Sequence, residues 1–339
     1  MTRPAAGATT AAPLLLDEAA VAARLDMGDL IALMERTLAD FSAGRALQPV
    51  RTVLAIERHA ALLAVMPGYL PGSEALGVKV VSVAPRNAER GLPTHLATVL
   101  LLDPETGALR AIMDGRLITE MRTAAVSAAA ARALALPRAS RLALLGSGVQ
   151  ASSHLEALRR VRDLERVRVW SPTRERRESF AREASRRLGL EVEAVDTAER
   201  AVRDADLVVT ATASHTPVLE GRWLGPGTHV TAVGAARATQ RELDAETVRR
   251  ASVWIDSLAA ARVEAGDLLL AERDGVSWNE RVRGEIGAVF EGTLAGRARP
   301  EEITLFKSLG LAVEDAASAR MVWERSLAAA PGPPRPAGT

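Results

Sequence analysis

A glycine-rich turn is the segment of this sequence whose residue types and spacing point most directly to chemistry. The apolar run 141–145 ends in Gly146-Ser147-Gly148-Val149-Gln150-Ala151, a G-x-G-x-x-A pattern that leads into a helix-like segment. Gly146 permits a tight turn, Gly148 lets the backbone approach a pyrophosphate, and Ala151 lets the helix pack closely on the sheet. Because the phosphates would face free N–H groups at the positive end of that helix, the turn predicts a dinucleotide site. About 120 residues precede this unit, enough for a separate substrate domain.

Lysine is rare in this chain, and one of its lysines lies in a pattern that predicts burial. The sequence contains 41 Arg but only two Lys, Lys79 and Lys307. Lysine is a compact charge whose pKa shifts on burial, so it can donate and accept a proton where Arg stays a fixed cation. Lys79 lies in the apolar run 77–83, which indicates a buried strand, whereas Lys307 is equally consistent with an exposed residue.

Three cations of the first part of the chain, Arg51, Lys79 and Arg122, lie near the ends of predicted strands or helices. If they converge on one cleft they suit a carboxylate substrate, because Arg can make two parallel hydrogen bonds to a carboxylate. Taken singly, each Arg is more often a structural or exposed residue. His95 follows a Gly-Leu-Pro-Thr turn. It is either an acid/base group or a polar residue whose hydrogen bonds are satisfied within the protein, and the pattern alone favours the second.

The end of the second strand of the nucleotide unit bears on the choice of cofactor. An NAD site usually places Asp or Glu there, whereas an NADP site has small polar residues and Arg around the 2′-phosphate. Ser171, Thr173 and Arg174, with Arg176 and Arg177 beyond, favour NADP(H), and NAD(H) remains possible. The alternative is that these arginines only belong to the exposed start of a helix.

Two later strand ends have small residues where ligands bind in open parallel sheets. Thr210-Ala211-Thr212 and Val233-Gly234-Ala235-Ala236 close the fourth and fifth predicted strands of the unit. They are consistent with a nicotinamide pocket and equally with ordinary turns.

The elements that would position these residues fall into two blocks. Helical periodicity over 17–43 precedes strand-like runs with turn residues between them, which predicts a mostly antiparallel sheet. A helix at 118–134 leads into alternating strands and helices, the pattern of βαβ units around a parallel sheet. Residues 303–329 predict a strand or turn and an amphipathic helix that could return to the first block. Residues 1–13 are expected to be a mobile tail. The predicted strands are 50–56, 61–66, 76–83, 96–102 and 108–113, then 141–145, 166–170, 206–210, 228–233 and 252–255.

The composition excludes several classes of function. The 339 residues are 48% hydrophobic and 25% charged with a net charge of +1, which indicates a globular protein with no nucleic-acid or membrane partner. There is no Cys, so disulfides and thiolate chemistry are excluded. The five His show no metal-ligand spacing, and no metal site is expected. The N-terminus lacks a signal-peptide pattern, so a cytoplasmic location is expected.

Taken in order, these segments resemble the ornithine cyclodeaminase/μ-crystallin family over about residues 45–325. The order and number of matching motifs make the resemblance far more specific than the glycine-rich turn alone. The matching stretches are 66–69, 77–81, 87–95, 113–115, 119–125, 146–151, 205–212, 241–244 and 303–310.

The resemblance implies the fold class α/β, with a Rossmann-type parallel-sheet domain inserted in an α+β substrate-binding and dimerisation domain. The substrate domain would comprise residues 1–123 plus 305–330, the NAD(P)-binding domain 124–304, and a disordered tail 331–339. Family members are usually homodimers.

The resemblance also implies a site. Arg51, Lys79, Arg122 and Leu309 match substrate positions, with Lys79 and Arg122 as the catalytic candidates. Cofactor positions are matched by Thr94, Arg122, Thr123, Gly146, Gly148, Val149, Gln150, Ser171, Thr173, Arg174, Thr212, Val233 and Ser308.

Two departures from the family pattern bear on the substrate. True cyclodeaminases have carboxylates where this chain has Ala64 and Ala236, so ornithine cyclisation is disfavoured: each unpaired buried ammonium would cost on the order of several kcal/mol. Residues 233–237 instead resemble the ketimine reductases of the family. We therefore expect an imine reductase acting on Δ1-pyrroline-2-carboxylate or Δ1-piperideine-2-carboxylate. The alternatives are an alanine dehydrogenase-like amino-acid dehydrogenase, an ornithine cyclodeaminase, and a non-enzymatic NADPH- or ligand-binding protein.

Overall fold

The computed structural model of the protein describes residues 12–329, so the predicted tail 331–339 and most of the predicted tail 1–13 lie outside it. The helices and strands of the first part, in chain order, are β1 (Leu14–Leu16), α1 (Glu18–Ala22), α2 (Met27–Ser42), β2 (Thr52–Ile56), β3 (Ala61–Leu70), β4 (Ala75–Val83), β5 (His95–Leu102), β6 (Leu109–Asp114) and α3 (Gly115–Leu134).

The second part of the chain contains the nucleotide unit and ends in a long helix. Its elements are β7 (Arg141–Leu145), α4 (Val149–Leu158), β8 (Arg166–Trp170), α5 (Arg174–Leu188), β9 (Val192–Ala194), α6 (Ala198–Val202), β10 (Leu207–Thr210), β11 (His229–Ala232), α7 (Ala245–Arg250), β12 (Ala251–Ile255), α8 (Leu258–Glu264), α9 (Gly266–Arg273), β13 (Val282–Glu285), α10 (Ile286–Phe290), β14 (Ile303–Lys307) and α11 (Ala312–Ala329).

The first sheet has six strands in the order β1-β6-β5-β4-β3-β2. Strands β2 to β6 form an antiparallel meander, and β1 adds in parallel to β6. Helix α11 lies on the inner face, so close to the backbone that a Cβ at Gly77 would come within 3.1 Å of the Ala316 Cβ. The alternation in β4 turns Lys79 and Val81 towards this helix, so a lysine becomes part of the core face.

The second sheet has eight parallel strands in the order β13-β12-β14-β11-β10-β7-β8-β9. Strands β10, β11 and β12 are buried along their whole length, as expected for a parallel sheet covered on both faces. This is the Rossmann arrangement, and the fold class predicted from the sequence is confirmed.

The two domains share elements at their boundaries. Helix α3 follows β6 directly, is capped by the Asp114 carboxylate, and packs on both α2 and α4. The domain boundaries drawn from the sequence at residues 123 and 305 therefore fall inside α3 and inside β14. Strand β14, which pairs with both β11 and β12, belongs wholly to the parallel sheet, and the return to the first domain begins after Lys307.

The structure differs from the sequence predictions in its short elements. Strands β1 and β9 have three residues each, too few for a periodic pattern, and β13 contains Gly284, which a strand pattern does not indicate. The segment 17–43, for which the sequence predicts helical structure, contains two helices, because the Asp26 side chain caps a new start at Met27. Within residues 12–329 no helix is both long and apolar enough to cross a membrane.

Candidate active site

The glycine-rich turn leaves a backbone surface open at the start of α4. Gly146 has φ +123°, and a Cβ there would lie 2.4 Å from the Ala211 carbonyl oxygen, so only glycine fits the turn. Gly148 is the N-cap residue of α4, and a Cβ built on it would meet no described heavy atom within 4 Å. No side chain of residues 12–329 caps the first N–H groups of this helix. The turn therefore fits a pyrophosphate.

Polar residues follow β8, at the position where the sequence predicts the adenosine ribose of the cofactor. The Ser147 hydroxyl donates to the Ser171 hydroxyl at 2.9 Å, which joins the glycine-rich turn to the end of β8. Thr173 is the N-cap residue of α5, but its side chain makes no capping bond to the described helix. Ser171 is thus bonded to the glycine-rich turn, and no Asp or Glu occurs among residues 171–174 at the end of β8.

The three arginines at the start of α5 have different surroundings. Arg174 is 73% exposed and donates to Glu178 at 2.7 Å. Arg177 is buried and donates to the Ser171 carbonyl at 3.1 Å and to Asp196 at 2.9 Å, so its role is structural. Arg176 lines a groove between α4 and α5 together with Ser147 and Gly148. Arg174 and Arg176 remain candidates for a 2′-phosphate, and Arg177 does not.

Most of the remaining predicted cofactor residues lie at the carboxyl edge of the parallel sheet, and two, Thr94 and Thr123, belong to the first part of the chain. Val149 and Gln150 begin α4, while Thr123 of α3 is buried and donates to the Thr119 carbonyl at 2.7 Å. The others lie in loops, namely Thr94 just before β5, Thr212 after β10, Val233 after β11 and Ser308 after β14.

Lys79 and Arg122 meet on the inner face of the first sheet, beside the carboxylates of α11. They are 3% and 4% exposed. The Lys79 Nζ lies 2.6 Å from the Asp315 Oδ2, and the Arg122 Nε donates to the Asp315 Oδ1 at 3.1 Å. The Arg122 Nη1 donates to Glu314. Two of the three predicted cations are thus joined through Asp315 in a buried cluster.

Arg51 reaches the same region across the domain interface. Its Nη2 donates to the carbonyls of Leu309 and Gly310 at 2.8 and 2.9 Å, and its Nε lies 3.0 Å from the Glu264 Oε1. The Gly310 backbone, at φ +84°, lies against Arg122, whose Nη1 would be 2.5 Å from a Cβ there. The loop after β14 therefore brings Arg51, Leu309 and Arg122 together.

Asp256 holds this loop in place. Its Oδ2 accepts hydrogen bonds from the Leu309 and Gly310 N–H groups at 2.5 and 2.7 Å, and the residue is fully buried at the end of β12. Burial raises the pKa of Asp256 and the backbone donors oppose that rise. The carboxylate therefore fixes the two carbonyls that orient Arg51.

The cluster shifts the proton affinity of Lys79. Burial lowers the pKa of Lys79 to about 8, while Asp315 opposes this effect and Arg122 adds to it. For Asp315 burial acts to raise the pKa, but Arg122 and Lys79 outweigh it and hold the pKa low. Burial raises the pKa of Glu314 to about 7. Lys79 is therefore able to release a proton close to neutral pH beside an anion that stays charged.

His95 lies on the same face of the sheet as Lys79. Its ring Nε2 is buried without a hydrogen-bond partner among residues 12–329. The sequence favoured a polar residue whose hydrogen bonds are satisfied, and for this nitrogen that prediction is wrong. Burial, together with the charges of Lys79 and Arg122, lowers its pKa to about 4. A neutral imidazole with an open ring nitrogen therefore faces the cluster.

An apolar strip lies beside Lys79. Across β3 and β4, Met66 pairs with Lys79 and Ala64 pairs with Val81. These three apolar side chains pack with Ala97 and Ala312 in one buried cluster. The surface next to the cations thus suits a small hydrocarbon group.

The acidic residues of the site were not identified from the sequence. Glu314 and Asp315 are buried in a helix whose other buried residues are all Ala, Ser or Val, and a pair of acids in such a stretch is the signal that could have revealed them. Asp256 and Glu264 give no comparable signal. Within residues 12–329 no three His, Asp or Glu side chains are grouped as metal ligands.

Comparison with known proteins places this arrangement in a family. The ornithine cyclodeaminase/mu-crystallin family matches residues 12–330. Ketimine reductase mu-crystallin of Mus musculus is 42% identical over 298 residues, 87% of this chain and 91% of that protein. Delta(1)-pyrroline-2-carboxylate reductase of Bacillus cereus is 36% identical over 304 residues, 89% and 93% of the two chains. The structure of Thermococcus litoralis Delta(1)-pyrroline-2-carboxylate reductase with NADH and L-proline superposes with a TM-score of 0.91 at 39% identity, covering 93% of this chain and 98% of that one.

Proposed function

Because this chain belongs to the ornithine cyclodeaminase/mu-crystallin family, we propose that it reduces small cyclic ketimine carboxylates to cyclic L-amino acids with NAD(P)H. It is an NAD(P)-dependent oxidoreductase that acts on carbon–nitrogen bonds. Δ1-Pyrroline-2-carboxylate and Δ1-piperideine-2-carboxylate are the proposed substrates. The observation that carries the proposal is the buried contact of Lys79 with Asp315 next to an apolar strip, since it combines a proton donor with a surface for a hydrocarbon ring.

The guanidinium groups retain the capacity to bind a carboxylate. Arg122 uses Nε and Nη1 for Asp315 and Glu314, and Arg51 uses Nε and Nη2 for Glu264 and the loop carbonyls. One terminal nitrogen of each, the Arg122 Nη2 and the Arg51 Nη1, makes no hydrogen bond to a described residue. We infer that these nitrogens hold the substrate carboxylate.

Lys79 is the proposed acid. An imine accepts a hydride far more readily when its nitrogen is protonated, and the reduced nicotinamide supplies that hydride. With a pKa near 8, Lys79 is mostly protonated at neutral pH and yet able to transfer the proton to a basic nitrogen. Asp315 stays charged beside Lys79 and favours its protonated form until substrate binds.

The surroundings of Ala64 and Ala236 favour a substrate with one nitrogen. Ala64 lies in the buried apolar strip, and Ala236 lies in the loop after β11. A second ammonium group placed against these methyl groups would lack an anionic partner, at a cost on the order of several kcal/mol. This is why we propose a cyclic imine and not a diamine as substrate.

NADP(H) is the proposed preferred cofactor, with NAD(H) as the alternative. The support is the polar segment formed by the buried Ser171 and the exposed Thr173 and Arg174, where NAD enzymes commonly have an acidic residue. Arg176 adds a second cation to the groove beside the glycine-rich turn.

The outer face of the first sheet supports a homodimer. Strand β2 is exposed over its whole length, and Leu54, Val65 and Leu96 are 61%, 36% and 47% exposed. These apolar side chains lie on one face of the sheet, Leu54 and Val65 on the neighbouring strands β2 and β3 and Leu96 on β5, and a second copy of the chain would cover this face.

Steady-state oxidation of NADPH and NADH with each cyclic imine tests the proposed function. We expect rapid turnover with both imines, faster with NADPH. Pyruvate with ammonia tests the amino-acid dehydrogenase alternative by the same readout. Ornithine with NAD+ tests the cyclodeaminase by release of ammonia and formation of proline, because that reaction consumes no NAD(P)H overall. Turnover of pyruvate and ammonia at a rate exceeding that of the imines would contradict the proposal.

A further inference from the structure

Glu242 is a fully buried carboxylate at the carboxyl edge of the parallel sheet, outside the cation cluster. Its Oε1 accepts a hydrogen bond from the Thr212 N–H at 2.5 Å. Its Oε2 accepts from the Thr210 hydroxyl at 2.8 Å and from the Gly234 N–H at 2.7 Å. One side chain therefore joins the loop after β10 to the loop after β11.

The backbone of Glu242 is itself held by Asp267 of α9, whose carboxylate also contacts the last residue of β14. The Asp267 Oδ1 accepts from the N–H groups of Glu242 and Leu243 at 2.6 and 2.9 Å. The Asp267 Oδ2 lies 3.0 Å from the Nζ of Lys307, the last residue of β14. Lys307 is fully buried. Of the two alternatives that the sequence left open for it, the exposed residue is wrong. The network spans β10, β11 and β14, which are neighbours in the sheet.

Close packing leaves this network little freedom. A Cβ at Gly234 would lie 2.0 Å from the Thr212 carbonyl oxygen, and a Cβ at Gly266 would lie 1.9 Å from the Gln240 carbonyl oxygen. The loop that carries Glu242 is thus pressed against α9 on one side and against the end of β10 on the other. Displacement of the carboxylate would move Thr212 and Gly234 with it.

We propose that Glu242 is a positioning residue that sets the nicotinamide end of the cofactor site by fixing Thr212 and Val233 relative to each other. Thr212 is bonded to it directly, and Val233 is the neighbour of a bonded residue. This inference rests on the proposed function, because it takes Thr212 and Val233 as contacts of the nicotinamide of the proposed NAD(P)H cofactor. In this role Glu242 does not contact the substrate and acts through its two neighbouring loops.

A second carboxylate shows what a purely structural role would look like. Asp206 accepts hydrogen bonds from the Ser140 and Arg141 N–H groups, both at 3.0 Å, at the opposite edge of the same sheet. It resembles Glu242 in joining two strand ends, but no predicted cofactor residue lies there. Asp206 therefore provides the matched control.

The test compares the binding of each dinucleotide with that of its fragment lacking nicotinamide. Calorimetry gives the dissociation constants of NADPH and 2′-phospho-ADP-ribose, and of NADH and ADP-ribose, for the wild type, Glu242→Gln and Asp206→Asn. Gln places an amide NH2 where one carboxylate oxygen faces N–H or O–H donors, so at least one bond is lost. We expect Glu242→Gln to weaken dinucleotide binding by about tenfold, the equivalent of one hydrogen bond to a charged group. Fragment binding should change by less than about twofold, within the scatter of such energies.

Asp206→Asn should leave the ratio of dinucleotide to fragment affinity at the wild-type value, even if it lowers the melting temperature. If Glu242→Gln does not fold, Thr210→Val removes one donor to the same carboxylate and should shift the ratio in the same direction by a smaller factor. A ratio that stays at the wild-type value in the folded Glu242 or Thr210 variant would overturn the proposal. Because only binding is measured, this failure is distinct from failure of the proposed function, which would appear as a wild type that binds NADPH but does not reduce the imines.

Discussion

The Asp315 Oδ2 lies 2.6 Å from the Lys79 Nζ, and both side chains are buried between strand β4 and helix α11. The contact joins two residues from opposite ends of the first domain, and Arg122 of α3 donates to the other oxygen of the same carboxylate. A carboxylate shared by two buried cations keeps both charged at the point where substrate is proposed to bind. Because burial lowers the pKa of Lys79 to about 8, its proton is available to a bound imine.

Lys79→Arg should separate charge from proton transfer. Arg keeps the positive charge beside Asp315 but does not release a proton near neutral pH. We expect kcat to fall at least about 100-fold, the lower range for loss of a general acid, with a smaller change in KM for the imine. Steady-state kinetics across pH check this. In the wild type kcat/KM should decline as pH rises above about 8, where free Lys79 loses its proton. A decline of the same shape in Lys79→Arg would assign that ionisation to another group.

Ala64→Glu should disfavour the imine substrates. The new carboxylate would lie in the apolar strip with Met66 and Val81, where it would oppose binding of a hydrocarbon ring. We expect kcat/KM for Δ1-piperideine-2-carboxylate to fall about tenfold or more and ornithine to become a stronger competitive inhibitor, since an ion pair becomes available to its second ammonium. Ala64→Gln is the control for size. If kcat/KM falls equally in the Glu and Gln variants and ornithine inhibition is unchanged, the effect comes from side-chain volume alone and not from charge.

Ser171→Asp should shift cofactor preference towards NADH. A carboxylate at the end of β8 would repel a 2′-phosphate and accept hydrogen bonds from a free ribose hydroxyl. We expect the ratio of kcat/KM for NADPH to that for NADH to fall at least about tenfold, on the order of one lost favourable charge contact. Ser73→Asp adds the same charge at an exposed position of the first domain and should leave the ratio unchanged. If Ser171→Asp leaves it unchanged too, the 2′-phosphate binds elsewhere.

Leu54→Glu should weaken the proposed homodimer. Leu54 is 61% exposed on the outer face of β2, so the isolated chain tolerates a charge there, whereas a dimer interface would bury it unpaired. Sedimentation velocity should show a dimer for the wild type and a larger monomer fraction for the variant. Leu327→Glu, on the exposed side of α11, is the matched control and should remain dimeric. A monomeric wild type would contradict the assignment of this face.

The parts of the site that depend on local sequence were predictable. Gly146 and Gly148 must be glycine because of the turn itself, and the apolar alternation around Lys79 indicates a buried strand without knowledge of its partners. The order of strands and helices was sufficient to indicate two domains with a parallel sheet in the second.

The parts that depend on distant contacts were not predictable in this way. Asp315 lies 193 residues from Arg122 in the chain, and the Arg51 contacts with Leu309 and Gly310 span more than 250 residues. Strand β14 lies between β11 and β12 although it comes last in the chain, and this placement brings the 308–311 loop to the cations. Local periodicity carries no information about which acid meets which cation.

Isotope transfer to an identified product tests whether this protein delivers a hydride from NADPH to the carbon of a cyclic imine. The protein is incubated with Δ1-piperideine-2-carboxylate and NADPH deuterated at the transferred position, and the product is examined by chiral chromatography and mass spectrometry. We expect L-pipecolate with one deuterium on the α-carbon, formed at the rate of cofactor oxidation. The contradicting result is a protein that binds the cofactor but forms neither labelled pipecolate from this imine nor labelled proline from its five-membered analogue. Such a protein would not be a reductase of cyclic imine carboxylates.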